Sequence, residues 1–222
     1  MLFRSAKDQS YVLNMLDQDQ LAGLLLPIGD LTKEEVRRRA ALLGLRTADK
    51  PDSQDVCFIT RQHGRGDFLG RRLTFTPGRV VDGSGAEVGS VSAVELVTIG
   101  QRRGMALAGG AAPRFAVDVD VAGATVTVGP VGDLMVDATP VEAFSWADGP
   151  VGGTLLVQTS AHGSSDPAVL DGDVVRWSEP HMRVAPGQSV GFYDGDEGLG
   201  GCIAPVGRAA VGGRGEVSVV PV

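Results

Sequence analysis

The chain has 222 residues, 43% of them hydrophobic and 21% charged, and a formal net charge of −7. That is enough apolar material for one large core or several small ones, and the acidic balance argues against indiscriminate nucleic-acid binding, which needs Lys and Arg to neutralise phosphates. No apolar run approaches the ~18–20 residues of a membrane helix, and the start MLFRSAKDQ has neither the apolar stretch nor the small-residue cleavage site of a signal peptide, so a cytoplasmic protein is expected.

The first 50 residues read as helical. DQDQLAGLLLPIGD presents Leu21, Leu24, Leu25 and Leu26 before Pro27 and Gly29 end the run. In LTKEEVRRRAALLGLRT, Thr32 is placed to N-cap, and Glu35 three residues on completes a capping box. Val36, Ala40 and Leu43 fall at helical spacing. Gly44 stands where a C′ glycine belongs, with Leu45 after it for the hydrophobic contact that often follows, so the spacing predicts a helix over about 33–43. Arg37, Arg38 and Arg39 read as a solvated face.

After about residue 62 glycines and valines rise together. RRLTFTPGRVVDGSGAEVG reads as strand, turn, strand, punctuated by Pro77-Gly78 and Asp82-Gly83. LVTIGQRRGMAL, FAVDVD and ATVTVGP continue the β pattern, with AGGAAP (108–113) a loop. A second β region starts near 136, with strands expected at 153–160, 171–179, 188–196 and 215–222, spaced as in a small barrel or sandwich. VGRAAVGGRG (206–215) reads as a turn. The expected fold class is α+β, mostly β: a helical piece over 1–62, a central β domain over 63–135 and a C-terminal β-barrel over 136–222. Charge divides along similar lines: residues 61–111 hold 7 basic and 4 acidic side chains, residues 112–222 hold 5 and 14. A local basic surface therefore remains possible in the middle. The N-terminal helices have too few strands of their own to cover an apolar face.

Several chemistries have no motif. There is no GxxxxGK[ST] loop and no GxGxxG between strand and helix. His63, His162 and His181 are scattered, and two distant cysteines make neither a zinc site nor a disulfide framework. No metal is expected. Asp118 and Asp120 alternate on one strand face, where exposed carboxylates and a pair for acid–base or cation chemistry are the two readings. Cys57, in DSQDVCFIT, lies between Val56 and Phe58. Asp52 and Asp55 would raise its pKa if close; Lys50, Arg61 and His63 would lower it. By itself it reads as a buried small hydrophobe or a reactive thiol. Cys202, in LGGCIAP, reads as structural.

The blocks KDQSYVL (7–13), LPIGDLTKEEVRRRAALLGLRTADKPDSQDVCFI (26–59), TIGQRRGMAL (98–107), FAVDVD (115–120), VTVGP (126–130) and APGQSVGFYDGDEGLGG (185–201), in this order, resemble the tRNA-specific 2-thiouridylase family over nearly the whole chain. The resemblance implies an enzyme that installs sulfur at position 2 of the wobble uridine of tRNA. In that family an N-terminal α/β domain adenylates the uracil oxygen with ATP and Mg. A cysteine matching Cys57 carries a persulfide received from a sulfur-relay donor protein, and its terminal sulfur attacks the activated C2. A second cysteine releases the product and forms a disulfide with the first. The resemblance also implies tRNA contacts from Lys7, Asp8, Gln9 and Gln188; Arg102 and Arg103 read either as phosphate contacts or as structural pairs, and a monomer is expected. The family's SGGxDS loop and its first catalytic cysteine are absent from the 222 residues, so the expectation is a portion inactive alone. Val91, Ala93 and Val97 replace a usual HxG-aromatic pattern, Ser160 stands where an Arg usually faces tRNA, and Cys202 replaces a glycine. The alternative expectation is a tRNA-binding module without catalysis.

Overall fold

The computed structural model describes residues 10–50, 64–107, 112–161 and 163–206. Their architecture is α+β and mostly β: three short α-helices and eleven strands among the described residues. The described parts of Met1–Ala22 and Phe75–Val222 form one compact unit, and those of Gly23–Thr74 form another. No helix among the described residues is long and apolar enough to cross a membrane.

In the smaller unit the helix α2, Lys33–Leu42, follows its sequence signals closely. Thr32 Oγ1 accepts from the Glu35 amide, and the Glu35 carboxylate accepts from the Thr32 amide at 2.8 Å, which closes the capping box. At the other end the Gly44 amide bonds the Ala41 carbonyl and the Leu45 amide bonds the Ala40 carbonyl. With Gly44 at φ 66° this is a Schellman ending, a backbone shape that glycine adopts without steric cost. The helix buries none of its residues, and Leu42 and Leu43 stay exposed. A helix α3 over Gly64–Gly70 replaces the β character expected there; Arg72 bonds the Phe68 carbonyl at 3.0 Å and lies over the Phe68 ring.

The helix expected over the leucine run is shorter than the pattern suggests. The helix α1 covers only Gln18–Ala22, capped reciprocally by Asp17 and Gln20. Gly23 follows, and Leu24, Leu25 and Leu26 are exposed and non-helical. The glycine and the nearby Pro27 outweigh leucine propensity over so short a span.

The larger unit holds two sheets. The first is four-stranded in the order β2-β1-β4-β3, from β1 Gly78–Val81, β2 Glu87–Val91, β3 Phe115–Asp120 and β4 Thr125–Gly129. β1 runs antiparallel to β2 and parallel to β4. Asp82 Oδ1 accepts from the amides of Ser84 and Ala86, and so builds the β1–β2 turn. RRLTFT is not a strand; β1 begins at Gly78, directly after Pro77. LVTIGQRRGMAL is not a strand either, because Gly100 and Gly104 both take φ 83°, which bends the chain into turns. Val80, Val94, Met105, Ala116 and Val126 fill this core.

The second sheet has seven strands in the order β5-β9-β8-β7-β10-β11-β6, all neighbours antiparallel. They are β5 Met135–Pro140, β6 Glu142–Trp146, β7 Gly153–Gln158, β8 Ser165–Asp171, β9 Val174–Met182, β10 Ser189–Asp194 and β11 Glu197–Ile203. β5 and β6 lie at opposite edges, yet only Val141 separates them in the chain. Two peptide steps span at most about 7 Å, so the sheet curls until its edges meet at that corner, as an open barrel. Its interior holds Val157, Val175, Val190, Phe192 and Cys202, with Phe144 and Trp146 stacked beside Phe192. Trp177 Nε1–H donates to the buried Thr139 hydroxyl at 2.9 Å. β8 was not signalled in the sequence because Pro167, paired with Leu156 in a central strand, breaks the usual pattern. The expected strand 215–222 lies outside the described residues.

Candidate nucleic-acid interface

β10 begins directly after a tight turn, and that turn fixes Gln188. Pro186 sets the second position of Ala185–Gln188 and Gly187, at φ 79°, the third, while the Gln188 amide bonds the Ala185 carbonyl at 3.0 Å. This is a type II turn, which needs a residue free to adopt positive φ at its third position. The Gly187 amide also reaches the Ala204 carbonyl, and the Ala204 amide reaches the Gln188 carbonyl at 2.9 Å. The backbone of Gln188 is thus tied to the chain beyond β11, and its side chain is half-buried.

Beside this turn stands Tyr11, from the far end of the sequence. A 3₁₀ turn over Ser10–Leu13 carries it, and it is 4% exposed. Its hydroxyl donates a short hydrogen bond to the Ser189 carbonyl. The same oxygen accepts from Ser189 Oγ at 3.0 Å and from Gln188 Nε2 at 3.5 Å. One donor and two acceptor positions are therefore all engaged. Asn14 extends the contact. A Cβ on Gly201 would lie 2.6 Å from Asn14 Oδ1, and one on Gly191 3.1 Å from Asn14 Nδ2. The glycines of GFYDGDEGLGG give the N-terminal segment a floor to lie on. The turn Ser10–Leu13 and the block APGQSVG, more than 170 residues apart, meet at these contacts.

Of the residues that the sequence singles out, Lys7, Asp8, Gln9 and Cys57 lie outside the described residues. Arg102 and Arg103 are exposed on a loop after the turn Thr98–Gln101. Gln101 braces that loop: its Oε1 accepts from the Thr98 amide at 3.2 Å and its Nε2 donates to the Arg103 carbonyl at 2.8 Å. Ser160 is exposed on a loop held by the buried Gln158, whose Nε2 bonds the carbonyls of Ser160 and Gly163. Asp118 and Asp120 are exposed, and Asp120 caps its own turn through the Gly123 amide. Cys202 is fully buried, and burial pushes its thiol up to about 12.

Sequence reasoning passed over Tyr11, Asn14 and Ser189. The available signal was a tyrosine directly after a polar block, in a chain with two tyrosines in all, and the density of glycines over 191–201. The first turn of α2 carries Glu34 and Glu35, and its N-terminus is already capped by its own side chains; a phosphate there would meet like charge.

Residues 3–61 match the family model described as tRNA methyl transferase HUP domain, residues 66–130 its PRC-barrel domain, and residues 158–204 the aminomethyltransferase beta-barrel domain. These matches, in this order, define a chain of three modules. It belongs to the tRNA-specific 2-thiouridylase family. It is 44% identical over 218 residues to the tRNA-specific 2-thiouridylase MnmA of Acidothermus cellulolyticus, covering 94% of this chain and 60% of that protein. It is 43% identical to the MnmA of Thermobifida fusca over 203 residues, with 88% and 56% covered, and 43% identical to that of Streptomyces avermitilis over 206 residues, with 88% and 54% covered. The chain spans at most about three fifths of the length of these curated relatives.

Proposed function

We propose that the chain takes part in thiolation of tRNA at position 2 of the wobble uridine, with Cys57 as the persulfide carrier and Lys7, Asp8, Gln9 and Gln188 as tRNA contacts. The observation that supports the RNA assignment is the contact of Tyr11 with Gln188, which holds the glutamine of the APGQ turn against the described start of the chain. A glutamine side chain held by a rigid turn suits hydrogen bonds to a base edge or a ribose hydroxyl. Arg102 and Arg103, exposed on a braced loop, suit phosphates.

For the sulfur step, the terminal sulfur of the Cys57 persulfide attacks C2 of an activated uridine. The new S–C2 bond forms as the C2–O2 bond breaks, and the leaving group departs with that electron pair. A second thiolate then attacks the Cys57 sulfur, which releases thiouridine and leaves a disulfide. ATP and Mg would supply the activation of the uridine oxygen. A sulfur-relay donor protein would load Cys57. Cys202 supports the choice of thiol, since it is buried and held protonated.

Mass spectrometry after incubation with a polysulfide tests the carrier: the adduct forms on the native chain and is lost in Cys57→Ser. An adduct that persists in Cys57→Ser removes the assignment. A tRNA-binding module without catalysis is the competing reading, and it predicts tRNA binding with no sulfur uptake at Cys57.

A further inference from the structure

We infer that Arg183 is a positioning residue: it locks the two sheets of the larger unit together, and so sets the spacing between the Arg102–Arg103 loop and the Gln188 turn as contacts of one RNA. This rests on the RNA-contact reading above. In the pairing of β3 with β4 the register slips between Ala116 and Asp118, so Val117 has no partner in the ladder. A bulge of this kind leaves its extra residue unpaired. Arg183, at the end of the barrel strand β9, reaches across and donates from Nη1 to the Val117 carbonyl at 2.9 Å. A guanidinium donor makes a charge-assisted bond, stronger than a neutral pair, and this one is partly buried.

Both ends of this bond are stiff. On the β3 side the Gly100 amide bonds the Ala116 carbonyl and the Ala116 amide bonds the Gln101 carbonyl, each at 2.8 Å. The residue gripped by Arg183 thus directly follows the one that holds the arginine loop, and Gln101 carries the brace on to the Arg103 carbonyl. On the barrel side the Arg183 amide bonds the Leu134 carbonyl at 2.7 Å. Val184 is then buried in the barrel core, and the closed turn Ala185–Gln188 follows at once. The covalent path between the sheets is the short segment from Gly129 to Met135. A single connection is a hinge; the second attachment, at Val117, removes its freedom. Two contacts on a fixed frame each contribute in full, whereas on a hinged frame the second contact must also order the hinge and contributes less.

The test measures binding of an unmodified tRNA transcript with a wobble uridine to the full chain. Arg183→Met keeps an unbranched stem and removes the guanidinium. It is made in the native chain, in Gln188→Ala, and in the double variant Arg102→Ala with Arg103→Ala. The lock predicts that Arg183→Met weakens binding about fivefold or more in the native chain, and less than about twofold once either contact is gone. The slope of log affinity against log salt stays unchanged. An equal loss in all three backgrounds, or a slope shallower by about 0.7–0.9, makes Arg183 a phosphate partner in its own right and overturns the inference. If neither Gln188→Ala nor the double arginine variant weakens binding, the RNA reading falls and takes the spacing role with it, while the lock is still read without RNA. Residual dipolar couplings of the amides in β1–β4 and in β5–β11 fit one alignment tensor in the native chain and need two in Arg183→Met. Two tensors in the native chain, or one in both proteins, overturn the lock. Where Arg183→Met does not fold, Arg183→Lys, which keeps the charge and loses the planar fork, carries the same readouts with smaller changes in the same direction.

Discussion

Cys202 bears directly on whether sulfur uptake can be assigned to one residue. It sits on β11 with no exposed surface, and burial pushes its thiol up to about 12 from an ordinary 9.0. At pH 8 that ionises roughly one thiol in ten thousand, against about one in ten at the ordinary value, so ionisation alone slows alkylation roughly a thousandfold. Cys57→Ser isolates this residue. Its native alkylation by iodoacetamide, followed by intact mass, should run at least a thousandfold slower than in denaturing urea. A native rate within about tenfold of the unfolded rate would refute the burial and reopen the choice of thiol. The same shift acts on stability. The folded chain keeps the Cys202 proton while the unfolded chain releases it, so stability falls as pH rises from about 9 toward about 12. Cys202→Ala should flatten that alkaline limb in urea titrations at stepped pH.

Thr32→Ala removes the side-chain half of the capping box, the hydroxyl that accepts from the Glu35 amide, and leaves the bond from its own backbone amide to Glu35; it should cost about 1 kcal/mol of local helix stability, read as faster amide exchange in α2. Bonds from the Thr32 backbone and side chain hold the Glu35 carboxyl below its ordinary value. Its contribution is therefore present above about pH 4.5 and lost as pH falls through the lowered value, so α2 should fray on acidification, measured by the same exchange. Gly201→Ala places a Cβ 2.8 Å from the Val190 carbonyl and 2.6 Å from Asn14 Oδ1; it should lower stability by about 1–3 kcal/mol, and the Asn14 amide should exchange faster than in the native chain. Thr139→Val leaves the Trp177 indole N–H buried without its acceptor, a loss of about 1–3 kcal/mol by chemical denaturation.

What could be read from the sequence was local. The α2 capping box and Schellman ending needed only residues within four positions of each other, and both were legible. The strands β3, β4, β9 and β10 also announced themselves through alternation or β-branched runs. Elements shaped by long-range geometry did not. β8 carries a proline in a central position, and the corner at Val141 exists only because two strands adjacent in sequence lie at opposite sheet edges. TIGQRRG read as β because its Val and Ile neighbours outweighed two glycines whose φ no pattern reveals. Gln188 was found through a motif. Tyr11 was not singled out, because its role comes from a residue 178 positions away. The exposed Asp118 and Asp120 show the opposite case, where strand alternation alone sorted the carboxylates onto one face.

Charge sets one more constraint on the RNA reading. Residues 136–222 carry 11 acidic and 4 basic side chains, so the barrel region as a whole repels phosphate. Of its arginines, Arg176 is paired with Asp171 at 3.1 Å and Arg183 donates to the Val117 carbonyl at 2.9 Å, where it links the two sheets. On the proposed reading, binding at the Gln188 turn would rely on neutral hydrogen bonds, with cations supplied by Lys7, Arg102 and Arg103. Each phosphate neutralised contributes a slope of about 0.7–0.9 in log affinity against log salt. The native chain should then show a slope no steeper than about −3. Lys7→Ala should reduce it by about 1, whereas Gln188→Ala should lower affinity at every salt concentration and leave the slope unchanged. A native slope near −6, or a slope change of about 1 on losing Gln188, would mean that other cations carry the contact and that the glutamine turn does not face the RNA.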